Sequence, residues 1–376
     1  MQFQQIIGSE SIKQKLVNEV KNERVSHANM FIGPEGSGKL QMAIGLAQFM
    51  LCENPGENDS CGVCASCKQC SSLTHPDVHF AFPVVLSKTD KIESSDDRRT
   101  EWNDLLLKKK YFNLEQWQTE LGELGKKAII GKEESSHILK KLSLKSFSGR
   151  HKFMIIWLPE KMNATSANKL LKLLEEPPEE TYFFLVSDNT DAILPTITSR
   201  TQFVRIPAID GTLIEKYLVD HYGTDEGVAR SITGFSQGNL NEAIHLVEGD
   251  VDHRLFFDLF VKMMRAAYTA NPMDLMSVSE DITTLERERQ KNFLRYSMHI
   301  FRESLILNYL KGKLIHLKEE EIAFLNKFAP FINNKNITQL IEEFNSAFYQ
   351  LDRNANPKIL FSDLVIKLTK LIKKGV

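Results

Sequence analysis

The sequence lacks an excess of basic residues, because 47 Lys and Arg are balanced by 49 Asp and Glu for a formal net charge of −2. A protein that binds nucleic acid strongly on its own usually shows a basic excess, so this balance argues against an autonomous electrostatic DNA binder while leaving room for a local basic face. The sequence also lacks an apolar run of about 18 residues, and we expect no membrane span. Its first residues show neither the charged nor the apolar region of a signal peptide, and we therefore predict a cytoplasmic location.

Cysteine is scarce, and all five cysteines lie within residues 52–70, at Cys52, Cys61, Cys64, Cys67 and Cys70. Clustered C-x-x-C pairs in a cytosolic protein indicate a structural Zn²⁺ site, since thiolates are ligands that zinc prefers. Two sets of four ligands are open, one formed by Cys52, Cys61, Cys64 and Cys67 and one formed by Cys61, Cys64, Cys67 and Cys70. We prefer the first, because Cys52 lies at the end of a predicted helix and a returning loop would close the module. A redox dithiol or a group of free thiols is the alternative.

Residues 33–40 form a phosphate-binding loop that lacks its last hydroxyl. They read GPEGSGKL, and the P-loop pattern G-x-x-x-x-G-K-[ST] fails only at Leu40. Glycines let backbone N–H groups surround phosphates, the lysine reaches the terminal phosphates, and the missing Ser or Thr would hold Mg²⁺. Leu40 offers no oxygen at this magnesium position, so we expect a loop that is poorly equipped for hydrolysis, and the sequence leaves ATP or ADP binding open. The candidate cofactor-binding residues are Gly33, Gly36, Ser37, Gly38 and Lys39.

Apolar runs around this loop predict an α/β domain with a parallel sheet. A strand at residues 28–32 leads into the loop and a helix at 39–51 follows it, which is the context that a P-loop requires. Later runs are continuously apolar and rich in β-branched and aromatic residues, as in strands covered on both faces. Alternation of such strands with helices is typical of an α/β fold. The later runs lie at 153–157, 182–186 and 203–206, with a helix at 164–176 between the first two.

The length of 376 residues allows two or three domains, and we predict three. Residues 1–207 form the P-loop domain, which includes the zinc module at 52–67. Residues 87–136 are polar and rich in Lys and Glu, and we interpret them as an insertion into that domain. Helical periodicity dominates the remainder, which we divide into a small three-helix domain at 208–249 and a larger all-α domain at 250–376.

Several motifs follow one another in an order that resembles a known family. After the P-loop and the C-x8-C-x2-C-x2-C cysteines come THPD at 74–77, NKLLKLLEEPP at 168–178 and PTITSR at 195–200. This order is similar to that of the bacterial clamp-loader subunits of DNA polymerase III, the gamma/tau and delta-prime group of AAA+ proteins. RNANPK at 353–358 also resembles the collar domain of that group. The resemblance covers most of the chain outside 87–136 and implies an AAA+ P-loop domain, a helical lid and a helical collar that joins subunits.

Three departures from the motor subunits of the group distinguish this chain. The motor subunits carry an acidic pair, which holds Mg²⁺ and polarises the attacking water, where this sequence has Trp157 and Leu158. They carry a lid arginine where Asn241 stands and a hydroxyl where Leu40 stands. Glu160 lies just beyond the missing pair, and we interpret it as a solvated or helix-capping group. Together the departures imply a delta-prime-like subunit of the DNA polymerase III holoenzyme that does not hydrolyse ATP by itself.

Arg200 is the candidate catalytic residue, because the resemblance implies that the arginine of the Ser-Arg pair reaches the ATP site of a neighbouring subunit. A guanidinium is suited to bidentate contact with phosphate and to the charge on a transferred phosphoryl group. A surface ion pair is the alternative. The implied partners are gamma/tau-type ATPase subunits and a delta-type subunit in a hetero-oligomeric ring, and through it a sliding clamp and primed DNA, with no membrane. Lys169 and Lys172 could face DNA phosphates or be ordinary surface lysines.

Two other functions remain open on the sequence alone. An active gamma/tau-type ATPase is favoured by the intact Gly38 and Lys39 and opposed by Leu40, Trp157 and Asn241. A zinc-dependent nucleic-acid-binding module with a vestigial P-loop is favoured by the cysteines and opposed by the near-neutral charge.

Overall fold

A computed structural model of the chain describes residues 1–143, 145–147, 149–248, 250–310, 319–353 and 355–374. The chain divides into two compact units, which comprise Met1–Ile214 with Gly238–Glu242, and Glu215–Gln237 with Ala243–Val376. Asn354 of the collar-like motif and Gly249 at the predicted domain border lie outside the described residues. Among the helices that the structure describes, none is long and apolar enough to cross a bilayer. The division into three domains stays a prediction.

The first unit is built on a five-stranded sheet in the order β2-β3-β4-β1-β5, and every neighbouring pair is parallel. The three central strands are buried on both faces, as strands of a parallel sheet covered by helices are. Their continuous apolar runs made them predictable, whereas the short β2 contains a histidine and was not predicted. The strands are β1 (Ala28–Ile32), β2 (Val78–Ala81), β3 (Lys152–Trp157), β4 (Thr181–Ser187) and β5 (Gln202–Arg205).

Helices pack on both faces of this sheet. One apolar cluster includes Phe31 and Phe184 and the other includes Met30 and Leu185, because neighbouring residues of a strand point to opposite faces. Helix α2 is buried along almost its whole length, since it lies in the first cluster directly after the P-loop. The helices are α1 (Glu10–Lys21), α2 (Lys39–Leu51), α3 (Ala65–Ser71), α4 (Arg99–Lys108), α5 (Leu114–Glu120), α6 (Lys132–Ser143), α7 (Ala164–Glu175) and α8 (Pro195–Thr198).

Residues 87–136, predicted as a polar insertion, contribute two fully buried tryptophans to the first unit. Trp102 of α4 stacks on Phe82, with ring centroids 4.1 Å apart. Trp117 of α5 donates a hydrogen bond from Nε1 to the Pro83 carbonyl at 2.9 Å. The high charge of the segment concealed this packing, because the Lys and Glu residues surround a few large aromatic side chains. The segment is therefore part of the core that surrounds the P-loop.

The second unit is helical, which confirms the predicted helical C-terminal region. Its core contains Phe260, Phe293, Phe301 and Phe344, all fully buried. The helices that follow the sheet are α9 (Gly211–Tyr222), α10 (Glu226–Ser236), α11 (Leu240–Glu248), α12 (Asp250–Thr269), α13 (Pro272–Thr284), α14 (Arg287–Leu310), α15 (Glu319–Phe328), α16 (Ile337–Asp352) and α17 (Pro357–Lys374).

Candidate functional site

The predicted cofactor-binding residues lie together in the loop between β1 and α2. Gly36 and Gly38 have φ values of +71° and +86°, in the left-handed region that glycine adopts without steric cost. Ser37 Oγ donates a hydrogen bond to the Pro34 carbonyl at 2.7 Å, so one residue of the loop is bonded to another. Gly33 faces the end of β5, where an added Cβ would lie 2.0 Å from the carbonyl oxygen of Ile206. The loop therefore has glycine where the backbone is left-handed and is packed tightly against the residue that follows β5.

Lys39, the lysine of the P-loop, is bound by two groups of the chain, the Asp188 carboxylate and the Pro34 carbonyl. Lys39 Nζ lies 2.8 Å from Asp188 Oδ1, and the two side chains are 5% and 36% exposed. The same ammonium donates to the Pro34 carbonyl at 2.5 Å. Asp188 directly follows β4, which pairs with β1, so both residues lie at the carboxyl end of the sheet. A buried cation needs a partner, and here a carboxylate supplies the negative charge that a phosphate would supply.

Three amide side chains donate hydrogen bonds to Glu35 of the loop. Glu35 Oε1 accepts hydrogen bonds from Asn113 at 3.1 Å and from Asn239 and Asn241 at 3.4 Å each. A Cβ added to Gly36 would lie 1.8 Å from Asn239 Oδ1, so only glycine permits this approach. Asn241, which stands where motor subunits have an arginine, thus contacts a carboxylate of the loop.

Aromatic side chains fill the space in front of the loop. Gln41 of α2 donates a side-chain hydrogen bond to the Lys110 carbonyl, and the Tyr111 hydroxyl accepts one from the Ile7 backbone at 3.4 Å. A cavity at this place is lined by Gly38, Lys39, Tyr111, Phe112, Trp157 and others and measures about 30 Å³. Sites that hold small molecules usually measure about 300–1,000 Å³, so this cavity is much smaller than an ordinary nucleotide site.

The positions of the missing acidic pair are apolar and buried. The Trp157 ring lies 5.1 Å from that of Trp102 and 5.4 Å from that of Phe112. Leu158 is buried beside it. Glu160 is not the solvated group that we expected, because burial raises its pKa, and its Oε1 accepts a hydrogen bond from the Asp188 backbone at 3.1 Å. Glu160 therefore fixes the residue that pairs with Lys39.

The structure brings together the thiols of Cys52, Cys61, Cys64 and Cys67, whose sulfurs all lie within 4.8 Å of one another. The sulfurs of Cys61 and Cys67 are 3.9 Å apart. Tetrahedral zinc with Zn–S distances of about 2.3 Å requires sulfurs about 3.8 Å apart, so this donor set fits the ion.

Backbone amides favour the thiolate form of Cys61, one member of this group. The backbone N–H groups of Val63 and Cys64 bond to the Cys61 sulfur and lower its pKa to about 6. The sulfur of Cys64 in turn caps α3 by accepting from the Cys67 backbone. Burial raises the pKa of the Cys52 and Cys67 thiols instead, so a metal that binds here would have to displace their protons.

Cys70 and the nearby histidines lie outside this group. Cys70 is buried in the apolar core, and burial raises the pKa of its thiol to about 12. His75 Nε2 lies 3.0 Å from Ser66 Oγ, and its Nδ1 accepts from the Asp77 backbone at 3.1 Å. Burial lowers the pKa of His79 on β2 to about 4. The geometry thus assembles the first of the two predicted ligand sets, and both nitrogens of His75 are engaged elsewhere.

Arg200 lies on the surface just after α8. Its Nη2 is 2.6 Å from Glu175 Oε1, and its side chain is 37% exposed. Its Nη1 donates to the Thr196 carbonyl at 2.9 Å. Glu175 ends α7, so two of the motifs that carried the family resemblance, at 168–178 and 195–200, meet in this ion pair. Lys169 and Lys172 are exposed on the same helix.

Residues 8–210 match the family model described as "DNA polymerase III, delta subunit", which is more than half of the chain. The chain belongs to this family. The delta-prime subunit of DNA polymerase III from Bacillus subtilis (strain 168) is 27% identical over 235 residues, which are 62% of this chain and 58% of that protein. The tau subunit from the same strain is 23% identical over 388 residues, which cover 97% of this chain and 61% of that protein. The delta-prime subunit from Escherichia coli (strain K12) is 24% identical over 239 residues, which cover 63% of this chain and 59% of that protein.

The matches span less than two thirds of the length of these relatives. Delta-prime and tau subunits match at similar identity, so the predicted family of DNA polymerase III subunits is confirmed, and the delta-prime role stays a prediction. Sequence reasoning missed Asp188 and Tyr111. The position of Asp188, directly after a buried strand, could have indicated it, because carboxyl ends of parallel strands share one edge of a sheet. No pattern in the sequence indicated Tyr111.

Proposed function

We propose that the chain is a non-hydrolysing, delta-prime-like AAA+ subunit of the DNA polymerase III clamp loader, which helps to place a sliding clamp on primed DNA. The observation that carries this proposal is the ion pair between Lys39 and Asp188. In this pair the Lys39 ammonium, which would otherwise contact the terminal phosphates, is bound to a carboxylate. Leu40 and Trp157 support it, because neither can bind the Mg²⁺ that neutralises charge during phosphoryl transfer. In this proposal the partners are gamma/tau-type ATPase subunits and a delta-type subunit.

We further propose that Arg200 contributes to the ATP site of a neighbouring subunit. Its exposed ion pair with Glu175 supports this, because such surface pairs stabilise a fold by only about 0–1 kcal/mol. Exchange of the Glu175 carboxylate for a phosphate oxygen would therefore cost little. The guanidinium would then stabilise the charge on the transferred phosphoryl group, an effect of about 10³–10⁵ in rate in well-studied GTPases.

Zinc is the cofactor that we propose for Cys52, Cys61, Cys64 and Cys67. Four thiol ligands complete a tetrahedron and leave no position for substrate, so the ion would be structural. It would join the end of α2 to the beginning of α3.

The test of Arg200 uses the complex reconstituted with a gamma/tau-type ATPase and a delta-type subunit. Arg200→Ala should leave assembly intact and slow ATP turnover by at least about tenfold, because the partner's transition state loses a cation. The matched control is Arg230→Ala, which removes another exposed arginine, paired with Glu215 at 3.4 Å. Turnover that is equal in the two variants would show that Arg200 does not act in trans.

An active gamma/tau-type ATPase is the second candidate. It is supported by the intact Gly38 and Lys39 and by the similarity to a tau subunit along 97% of this chain. The purified chain should then turn over ATP by itself, and Lys39→Ala should abolish the turnover. Absence of turnover in the isolated wild-type chain would leave the delta-prime proposal in place.

A further inference from the structure

Residues Tyr111, Phe112 and Asn113, which connect α4 to α5, lie in front of the P-loop. We propose that these residues form a built-in plug, an autoinhibitory contact that occupies the nucleotide site and keeps ATP and ADP out. This inference goes beyond the proposed function, because it depends neither on Arg200 nor on a partner subunit.

The first support is polar contact between the plug and the phosphate-binding loop. Asn113 Nδ2 donates to Glu35 Oε1 at 3.1 Å, which joins the plug to the loop itself. The Tyr111 hydroxyl accepts from the Ile7 backbone at 3.4 Å, and the adjacent Lys110 carbonyl accepts from Gln41 of α2. The segment is therefore fastened at three points, to the P-loop, to α2 and to the backbone before α1.

The second support is apolar packing inside the site. Tyr111 is buried, and a Cβ added to Gly38 would lie 3.5 Å from its ring. The Phe112 ring lies 5.4 Å from that of Trp157, the residue at the position of the missing acidic pair. Aromatic rings that pack edge to face in this way stabilise each other by about 0.5–1.5 kcal/mol beyond the area that they bury. Trp157 thus packs against the plug at a position where a carboxylate would instead bind Mg²⁺.

The third support is that the charged groups of the site are satisfied without a nucleotide. Lys39 pairs with Asp188, and Glu35 accepts from Asn239 and Asn241 as well as from the plug. A nucleotide would have to displace Asp188 and bring its phosphates close to the Glu35 carboxylate. Both steps cost free energy, because Asp188 would lose its cation and the phosphates would approach the like charges of Asp188 and Glu35.

The plug can be altered without removing its anchors. Trp102 and Trp117 hold α4 and α5 to the core through Phe82 and the Pro83 carbonyl. Truncation of Tyr111 and Phe112 should therefore open the mouth of the site while the segment stays folded.

The experiment measures binding of radiolabelled ATP to the full-length chain by equilibrium dialysis, with and without Mg²⁺. The wild-type chain should not bind ATP at about 1 mM, the upper end of ordinary substrate affinities. The variant Tyr111→Ala/Phe112→Ala/Asp188→Asn, which removes both rings and frees Lys39, should bind at least about tenfold more tightly than the wild type. Addition of Lys39→Ala should abolish that binding and thereby locate it at the P-loop.

A milder variant keeps the test decisive if the triple variant does not fold, as judged by circular dichroism. Tyr111→Ser/Asp188→Asn retains Phe112 against Trp157 and should bind ATP more tightly than the wild type does. Binding of ATP by the wild-type chain in the micromolar range would overturn the plug, and so would a folded variant that still excludes ATP. The Arg200 experiment reads turnover in the complex, so either proposal can fail while the other stands.

Discussion

At the scale of single residues, a few side chains decide what the P-loop can do. Asp188 neutralises Lys39, and Leu40 removes the metal ligand that would follow it. The loss at Leu40 could be predicted, because the motif specifies a residue type at a fixed position. The position of Asp188 after a buried strand indicates only that it lies at the same edge of the sheet. Its pairing with Lys39 could not be predicted, because it depends on how two distant strands are placed side by side.

The cysteines give a sharp prediction at this scale. Cys52→Ser should abolish stoichiometric zinc binding, because three thiolates leave the tetrahedron incomplete. Cys70→Ser, a matched change at a buried thiol outside the group, should retain one zinc per chain with a modest loss of stability. Atomic absorption of the purified variants measures the zinc content. Loss of zinc in the Cys70 variant instead would favour the second ligand set.

At the scale of elements, the P-loop is both a candidate binding loop and a packing unit. Its strand and its helix were predicted within a residue, because a buried apolar run and an unbroken helical pattern border the glycines. The contact of Gly33 with β5 was not predicted, since it depends on the register between β1 and β5. The aromatic core of α4 and α5 was missed for a similar reason, because few apolar residues in a charged segment give a weak pattern.

Gly33→Ala tests the packing role of the loop. The new Cβ would lie 2.0 Å from the Ile206 carbonyl oxygen, so backbone must move, and we expect the free energy of unfolding to fall by about 2–4 kcal/mol. Gly122→Ala is the control, because its φ is +65° but its surroundings are open, and it should cost about 1–2 kcal/mol. Urea unfolding followed by circular dichroism compares them. Equal losses would contradict the close approach of Gly33 to β5.

At the scale of the whole molecule, charge limits what the isolated chain can bind. The net charge of −2 offers little attraction to a DNA backbone, although Lys169 and Lys172 are exposed on α7. This property could be predicted from composition alone, since it needs no fold. The partners of the chain could not be predicted from composition, because binding depends on surfaces that form only when the units fold.

The isolated chain should therefore bind a primed duplex no more tightly than non-specific binders do, with a Kd of about 10⁻⁴–10⁻⁶ M or weaker at physiological salt. Electrophoretic mobility shifts at several salt concentrations would measure it, and the complex with its partner subunits serves as the comparison. Tight, strongly salt-dependent binding by the isolated chain would favour a zinc-dependent nucleic-acid-binding module instead.

The three tryptophans of the chain form one cluster, in which the Trp102 ring lies 5.5 Å from that of Trp117 and 5.1 Å from that of Trp157. Phe112 of the plug contacts two of them, with its ring 5.3 Å from that of Trp102 and 5.4 Å from that of Trp157. The intrinsic fluorescence of the protein thus originates almost entirely from this one cluster. Withdrawal of Phe112 would admit water to the Trp157 indole and shift the emission to longer wavelength. The chain consequently carries its own optical reporter of whether the site is open, and a labelled nucleotide is not needed to follow that event in real time.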